Sequence, residues 1–229
     1  MNRVNPPAAC NDIQRTLSNR LMTRRIGRPL HVLEMVDSTN DAVKEAGEAG
    51  EAEGLVVMAL GQRRGRGRRG RNWVSNPGQG LYMSVLLRPA IPPSDVPWLA
   101  MMGGVATLEA VRSLGVGELA LKWPNDVLAR GRKIAGVLVE PRMGAQKVEF
   151  LALGIGLNIN QTEQTWTAAL NTTATSCLME GVSVSLGDAA FTLLDRMECW
   201  YLRLMAGERN QLLEAWVGDG GTDRMPEIA

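Results

Sequence analysis

Apolar positions along this chain follow two rhythms. Residues 54–60 (GLVVMAL) form a short unbroken apolar run, which predicts a buried strand. Residues 81–89 (LYMSVLLRP) predict a second strand that a proline ends. Three more strands are expected at 119–124 (LALKWP), 134–140 (IAGVLVE) and 148–159 (VEFLALGIGLNI), from their β-branched content and proline or glycine boundaries. Other stretches repeat at helical spacing. Residues 94–114 carry Val105, Leu108 and Val111 on one stripe, with Ser94, Asp95 and Pro97 at the start. Residues 189–206 carry Phe191, Leu194, Met197, Tyr201 and Leu204, and a last short helix is expected over 209–217. Residues 37–50 predict a turn and a short helix, with Ser38, Thr39 and Asn40 as candidate caps and Ala42, Val43 and Ala46 on one side. Residues 218–229 are expected to be a loose tail. Strands outnumber helices, and several follow one another with no helix between. That pattern predicts an α+β fold, a mixed and mostly antiparallel sheet flanked by helices, and not a βαβ dinucleotide fold.

Composition narrows the picture. A chain of 229 residues, 45% of them hydrophobic, can bury a sizeable core in one domain or at most two. The formal net charge of +1 excludes a molecule built all over to coat nucleic acid or an acidic membrane, so any basic site is local. Cys10, Cys177 and Cys199 are far apart and odd in number, which suits reduced structural thiols in a cytoplasmic protein. The first residues contain no apolar signal segment, and no apolar run is long enough to span a bilayer. His31 is the sole histidine, so chemistry resting on imidazole or on a histidine-rich zinc site is not expected.

The local basic site lies at residues 63–71, where Arg63, Arg64, Arg66, Arg68, Arg69 and Arg71 crowd together. Its GRGRRG core matches G-x-G-x-x-G formally, and a strand precedes it. No helix opens within it, however; the chain runs on into RNWVSNPGQG, which is turn chemistry, so the dinucleotide reading fails. No Gly-Lys-Ser/Thr follows, which excludes a P-loop. An RNA-binding Arg-Gly tract would bring stacking aromatics, and none lies inside the run. What remains is an ordered anion-binding loop. Its glycines bring backbone N–H groups close to a ligand, and its arginines offer permanently charged forked donors.

A second constellation spans residues 122–140, KWPNDVLARGRKIAGVLVE. A strand stops at Pro124, Asn125 and Asp126 make a polar corner, residues 129–132 make a hairpin loop, and Lys133 opens the returning strand beside the small Ala135 and Gly136. A lysine at a strand start is ordinarily solvated surface, but this company makes Lys133 a candidate for the site. In LGIGLNIN, Gly154 and Gly156 lie inside a strand, where glycine marks the close approach of a ligand or another backbone, or a simple bulge.

Taken together and in order, Ser38-Thr39-Asn40, Gln62 with GRGRRGRNW, KWPND with RKIAGVLVE, GIGLNIN and Ala174-Thr175-Ser176 resemble the catalytic domain of biotin–protein ligases over residues 30–217. The combination is specific, although each piece alone is weak. The related lipoate ligases share the fold but carry a different arginine–glycine signature and lack KWPND. The resemblance implies a fold of the class II aminoacyl-tRNA synthetase/biotin ligase type and one catalytic domain over 1–217. It implies that Ser38, Thr39, Asn40 and Gln62 hold the biotin ureido ring. Gly65, Arg66 and Arg68 would close over the biotin carboxylate and the phosphates, and Lys133 would bridge that carboxylate and the ATP α-phosphate. Gly154 and Gly156 would line the biotin slot, while Arg71, Trp73, Asn125, Asn158 and Trp166 would lie near the nucleotide.

The implied first step is attack of the biotin carboxylate on the α-phosphorus of ATP. A carboxylate is already ionised, so the step needs charge stabilisation and not a general base. Magnesium is expected to arrive with ATP, since no acidic cluster reads as a metal cage. A lysine amine of a biotin carboxyl carrier protein would then attack the anhydride. Asp126 is the candidate proton acceptor, although it equally suits a structural turn. Larger members of the resembled family carry an N-terminal DNA-binding domain, and about thirty residues before the motifs are too few for one, so no repressor role is expected. The family's usual small C-terminal β-barrel is not expected after residue 217 either. Arg63, Arg64 and Gly61 at the loop entrance depart from the pattern, and the extra arginines suit solvated surface. No membrane partner is expected, and the assembly is read as monomer or homodimer. The alternatives are a lipoate or octanoate ligase, or a biotin-binding module without turnover.

Overall fold

The computed structural model describes residues 8–145 and 147–220. Its strands are β1 (Leu30–Val36), β2 (Val56–Gln62), β3 (Gly80–Leu87), β4 (Leu119–Lys122), β5 (Asp126–Ala129), β6 (Arg132–Met143) and β7 (Val148–Asn158). Its helices are α1 (Ala8–Arg20), α2 (Thr39–Glu48), α3 (Val96–Ser113), α4 (Ala168–Asn171), α5 (Leu186–Met205) and α6 (Arg209–Gly218). The strands form one seven-stranded sheet in the order β1-β2-β3-β7-β6-β5-β4. Only the β1–β2 pair is parallel. The expected mixed, mostly antiparallel α+β architecture is therefore present. The expected tail falls beyond the described residues from position 221, while 218–220 close α6 and its following turn.

Strand β1 and the four-residue helix α4 were not among the expected elements. Three other differences have physical reasons. Strand β5 occupies residues expected as a polar corner and loop. Its alternation is hidden, because Asp126 and Leu128 turn to one face while Val127 and Ala129 are buried on the other. Helix α1 was not foreseen, because among its side chains from residue 9 onward only Cys10 and Leu17 go fully into the core. Ser38 holds the N-cap position of α2 but makes no side-chain cap hydrogen bond. Thr39 and Asn40 instead lie in its first turn and are buried, with their polar groups committed elsewhere.

The two-residue period of the strands divides the sheet into unlike faces. One face carries Met58, Met83, Val85, Val137, Leu153, Ile155 and Leu157 into the main core, beneath α3 and α5. The other face carries Val57, Leu86, Phe150 and Ala152 against Val43 of α2, a smaller apolar cluster. Further along that second face the side chains shrink to Ser84, Gly154, Gly156 and Gly136, which pair across neighbouring strands. Where α2 ends and side-chain volume vanishes, a hollow opens.

Candidate active site

The hollow is a cavity of about 520 Å³ floored by the glycine strip of β6 and β7 and roofed by the 65–73 loop. Every expected site residue lines it except Gly65: the STN turn, Gln62, Arg66, Arg68, Arg71, Trp73, Asn125, Asp126, Lys133, Gly154, Gly156, Asn158 and Trp166. Gly65 is buried behind the loop instead. A Cβ there would stand 2.5 Å from Ser75 Oγ and from the Trp73 carbonyl, so the chain can fold this tightly only with glycine at that position. His31 is exposed on β1 and does not line the cavity.

One end of the cavity is a connected polar network. The Thr39 N–H donates to Gln62 Oε1 at 2.9 Å, and Gln62 Nε2 donates to Ser75 Oγ at 2.9 Å. The Ser84 hydroxyl lies 2.7 Å from Thr39 Oγ1 and 2.6 Å from Asn40 Oδ1. Asn40 Nδ2 donates to Glu140 Oε2 at 2.6 Å. Satisfied networks of this kind fix the orientation of each amide, because turning one strands a buried partner. Ser84, Ser75 and Glu140 were missed from the sequence. The available signal for Ser84 was a lone hydroxyl in the otherwise apolar run of β3.

The strand glycines admit protein side chains. A Cβ on Gly154 would stand 2.2 Å from Asn40 Oδ1, and one on Gly156 would stand 2.5 Å from Trp73 Cε2. A Cβ on Gly136 would meet Lys133 Cε at 3.0 Å and the Trp73 ring at 3.2 Å. The expectation was a ligand or another backbone; what approaches these positions is instead two side chains, an amide and an indole, which line the cavity over the strip. Lys133 Nζ stands 5.1 Å from the Trp73 ring centroid and 2.6 Å from Asp126 Oδ1. Its backbone is held on both sides: Lys133 N–H donates to the Thr173 carbonyl at 2.8 Å, and Thr175 N–H donates to the Lys133 carbonyl at 2.9 Å.

The roof is a small closed hairpin. Arg66 and Asn72 form an antiparallel bridge, Gly67 N–H donates to the Arg71 carbonyl at 2.6 Å, and Trp73 N–H donates to the Gly65 carbonyl at 2.9 Å. Arg69 takes the left-handed conformation at φ 57° in the tip turn. The six arginines divide. Arg63 and Arg64 flank Asp37 at the loop entrance. Arg66 pairs with Asp41 through both terminal nitrogens and reaches Glu140 Oε2 at 2.9 Å. Arg68, Arg69 and Arg71 are exposed, and among the described residues no carboxylate pairs with them. The Arg66 hydrogen bond holds the Asp41 carboxyl below its ordinary value. Burial pushes the Glu140 carboxyl up, but hydrogen bonds from Asn40 and Arg66 outweigh it, and the net direction is down. Both acids stay ionised at neutral pH.

At the far end Asn125 Nδ2 donates to the Val137 carbonyl at 2.7 Å, which ties the KWPND corner to β6. Asn158 Nδ2 donates to the Thr175 carbonyl at 2.9 Å, and its Oδ1 accepts from Gln161 Nε2 at 3.1 Å. Trp166, buried, closes this side. The cysteines are free thiols, and burial pushes Cys177 up to about 12, far from a nucleophile's range. No group of three or more His, Cys, Asp or Glu among the described residues is placed to hold a metal ion. No helix among them is long and apolar enough to cross a membrane. The cavity therefore joins a slot of fixed donors and acceptors to a mouth of lysine and arginine. That arrangement suits a ligand with a polar ring at one end and an anion at the other.

Residues 32–160 match the Biotin/lipoate A/B protein ligase family. The Bifunctional ligase/repressor BirA of Bacillus spizizenii is 35% identical over 156 residues, 68% of this chain and 48% of that protein. The Biotin–[acetyl-CoA-carboxylase] ligase of Mycobacterium tuberculosis is 36% identical over 187 residues, 79% of this chain and 65% of that one. The chain thus spans about half the length of the BirA relatives it matches. Among solved structures, the biotin protein ligase from Aquifex aeolicus in complex with biotin and ATP aligns with a TM-score of 0.69 at 29% identity, covering 82% of this chain and 76% of that one. The biotin protein ligase from Leishmania major in complex with biotinyl-5-AMP aligns at 0.64 and 27% identity, covering 86% and 85%.

Proposed function

The chain belongs to the biotin/lipoate A/B protein ligase family, and from that premise we propose that it is a biotin–protein ligase acting in the cytoplasm. In this reading biotin and ATP give biotinyl-5'-adenylate and pyrophosphate. A lysine of a biotin carboxyl carrier protein then takes the biotinyl group and releases AMP. The observation that carries the reading is the joining, in one cavity, of the Thr39–Asn40–Gln62–Ser84 network to Lys133 and the arginine loop. A ureido ring has two N–H donors and one carbonyl acceptor, and it needs oriented partners of both kinds. Ser38, Thr39, Asn40 and Gln62 supply them. The ring system would lie on the wall that Asn40 and Trp73 make above Gly154 and Gly156.

Catalysis here is positioning and charge stabilisation. Lys133, fixed by its backbone bonds, offers a cation where the carboxylate and the α-phosphate must meet. Arg68 and Arg71, without carboxylate partners among the described residues, suit the remaining phosphate charge at the mouth. Arg66 and Gly65 hold the loop beside the ligand. Asn125, Asn158 and Trp166 line the side left for the nucleotide, and magnesium would enter as the counter-ion of ATP. Asp126, 2.6 Å from Lys133 and lining the same cavity, would receive the proton of the acceptor amine.

The test is incubation with ATP and either biotin or lipoate, followed by mass spectrometry of the adenylate. Biotinyl-adenylate is expected. Lipoyl-adenylate without biotinyl-adenylate would move the protein to the lipoate side of its family. In Lys133→Ala the adenylate should fall by at least about a hundredfold, the scale for removing a preorganised charge from a transition state, while biotin affinity changes less. Unchanged turnover would remove Lys133 from the chemistry.

A further inference from the structure

The loop arginine nearest the ring slot is not free to meet a phosphate. Four hydrogen bonds tie the Arg66 guanidinium to carboxylates: one from Nη1 and one from Nη2 to Asp41, and two from Nη2 to the two carboxylate oxygens of Glu140. Lys44 Nζ completes the group, 3.2 Å from Asp41 Oδ1 and 3.4 Å from Glu140 Oε1. Two cations and two anions cancel. Drawing Arg66 away to a phosphate would leave net negative charge in a half-buried cluster, a cost with no compensation on the spot. Among the described residues, Arg68 and Arg71 carry no such tie. The cluster also joins the loop to fixed structure: Asp41 stands on α2 and Glu140 on β6. Arg66 in turn bridges Asn72 on the opposite arm of the hairpin, next to the indole that roofs the glycine strip.

We propose that Asp41 and Glu140 are positioning residues that act through Arg66 to latch the 65–73 loop over the cavity. The latch retains an acyl-adenylate until an amine arrives, and Arg66 is its bolt and not a phosphate ligand. Asp41 follows Asn40 directly, so one turn of α2 presents its amide to the ring slot and its carboxylate to the roof. A seated ring and a closed roof thereby depend on the same turn. The retention of the adenylate rests on the ligase reading; the latching of the loop does not.

Asp41 separates the two, because it touches Arg66 and Lys44 and takes no part in the ring network. Asp41→Ala and Asp41→Asn should be compared with the unaltered protein in two measurements. Hydrogen exchange without ligand should quicken by about tenfold or more at the loop amides, the scale of a lost charge-assisted pair. Protection in β3 and β7 should stay as it was. Unchanged loop exchange, or an equal loss across the sheet, overturns the latch. With ATP and biotin, release of the adenylate should quicken by about tenfold while the rate of its formation stays within about threefold. An equal fall in formation would return Arg66 to the chemistry, and unchanged release would end the retention role. If the unaltered protein forms no biotinyl-adenylate, the substrate reading fails, and the exchange measurement still decides the latch.

Discussion

At the scale of single residues, the strand glycines carry more of the site than the arginines that first draw the eye. Gly154 and Gly156 were legible as places of close approach, because glycine inside a strand has few other reasons to be there. What approaches was not legible, since Asn40 and Trp73 lie far off in sequence and meet the strip only through the folded sheet. The same holds for Arg66: its charge was plain, but Asp41 and Glu140, which neutralise it, come from two other elements. Gly154→Ala tests the point. The new methyl would stand 2.2 Å from Asn40 Oδ1, closer than any real Cβ contact, so the amide must leave Ser84 and Glu140. Overpacking of this kind costs about 1–3 kcal/mol. Biotin affinity, measured by calorimetry, is expected to fall by more than tenfold, because a slot built to hydrogen-bond a ligand suffers most when its donors turn away. An affinity within a factor of two of the original would show that Asn40 does not orient the ring.

At the scale of elements, strands bounded by proline or glycine were readable, and so were helices with a clear stripe. Not every such element was read: β1 follows Pro29 and was missed, as was α1 with its two core residues, and β5 was missed because its pattern serves the site. β5 is four residues long, and its cavity-facing positions, Asp126 and Leu128, obscure its alternation. By residue type alone the N-terminal turn of α2 looked like a set of caps; only the motif resemblance placed Ser38, Thr39 and Asn40 in the site, and these residues do line the cavity. The β5–β6 hairpin shows how such an element is held. The Glu180 side chain is almost fully buried, 2.9 Å from Arg132 Nη2 and 2.6 Å from Thr175 Oγ1. These contacts clamp the hairpin to the 174–176 segment one residue before Lys133. Glu180→Ala strands a guanidinium and a hydroxyl together, and hydrogen bonds to charged groups are worth about 1.5–3 kcal/mol. The urea midpoint should fall accordingly, and adenylate formation should fall with it, since Lys133 enters β6 from this clamp. Loss of stability with full activity would show that the hairpin does not position Lys133.

At the scale of the whole molecule, the cavity draws on residues from Ser38 to Ala174, and the polar network alone spans α2, β2, β3 and β6. Unfolding any of these elements dismantles the binding site, so a ligand here binds the folded state alone. Linkage then sets the size of the effect: a ligand at a hundred times its dissociation constant stabilises by about 2.7 kcal/mol. For a domain of this length each kcal/mol shifts Tm by about 2–4 °C. Biotin at that excess should therefore raise Tm by about 5–10 °C. Biotin with ATP should raise it further, because in the proposed reading the adenylate would make both halves of the cavity's contacts at once. Lys133→Ala should keep most of the shift from biotin and lose the extra shift from the pair. The ordering matters more than the size, because it follows from a ring slot and an anion mouth being distinct parts of one cavity. A shift from ATP alone that biotin does not increase would mean that the Thr39–Asn40–Gln62 end does not receive the ring. The division of labour between the two ends would then have to be redrawn.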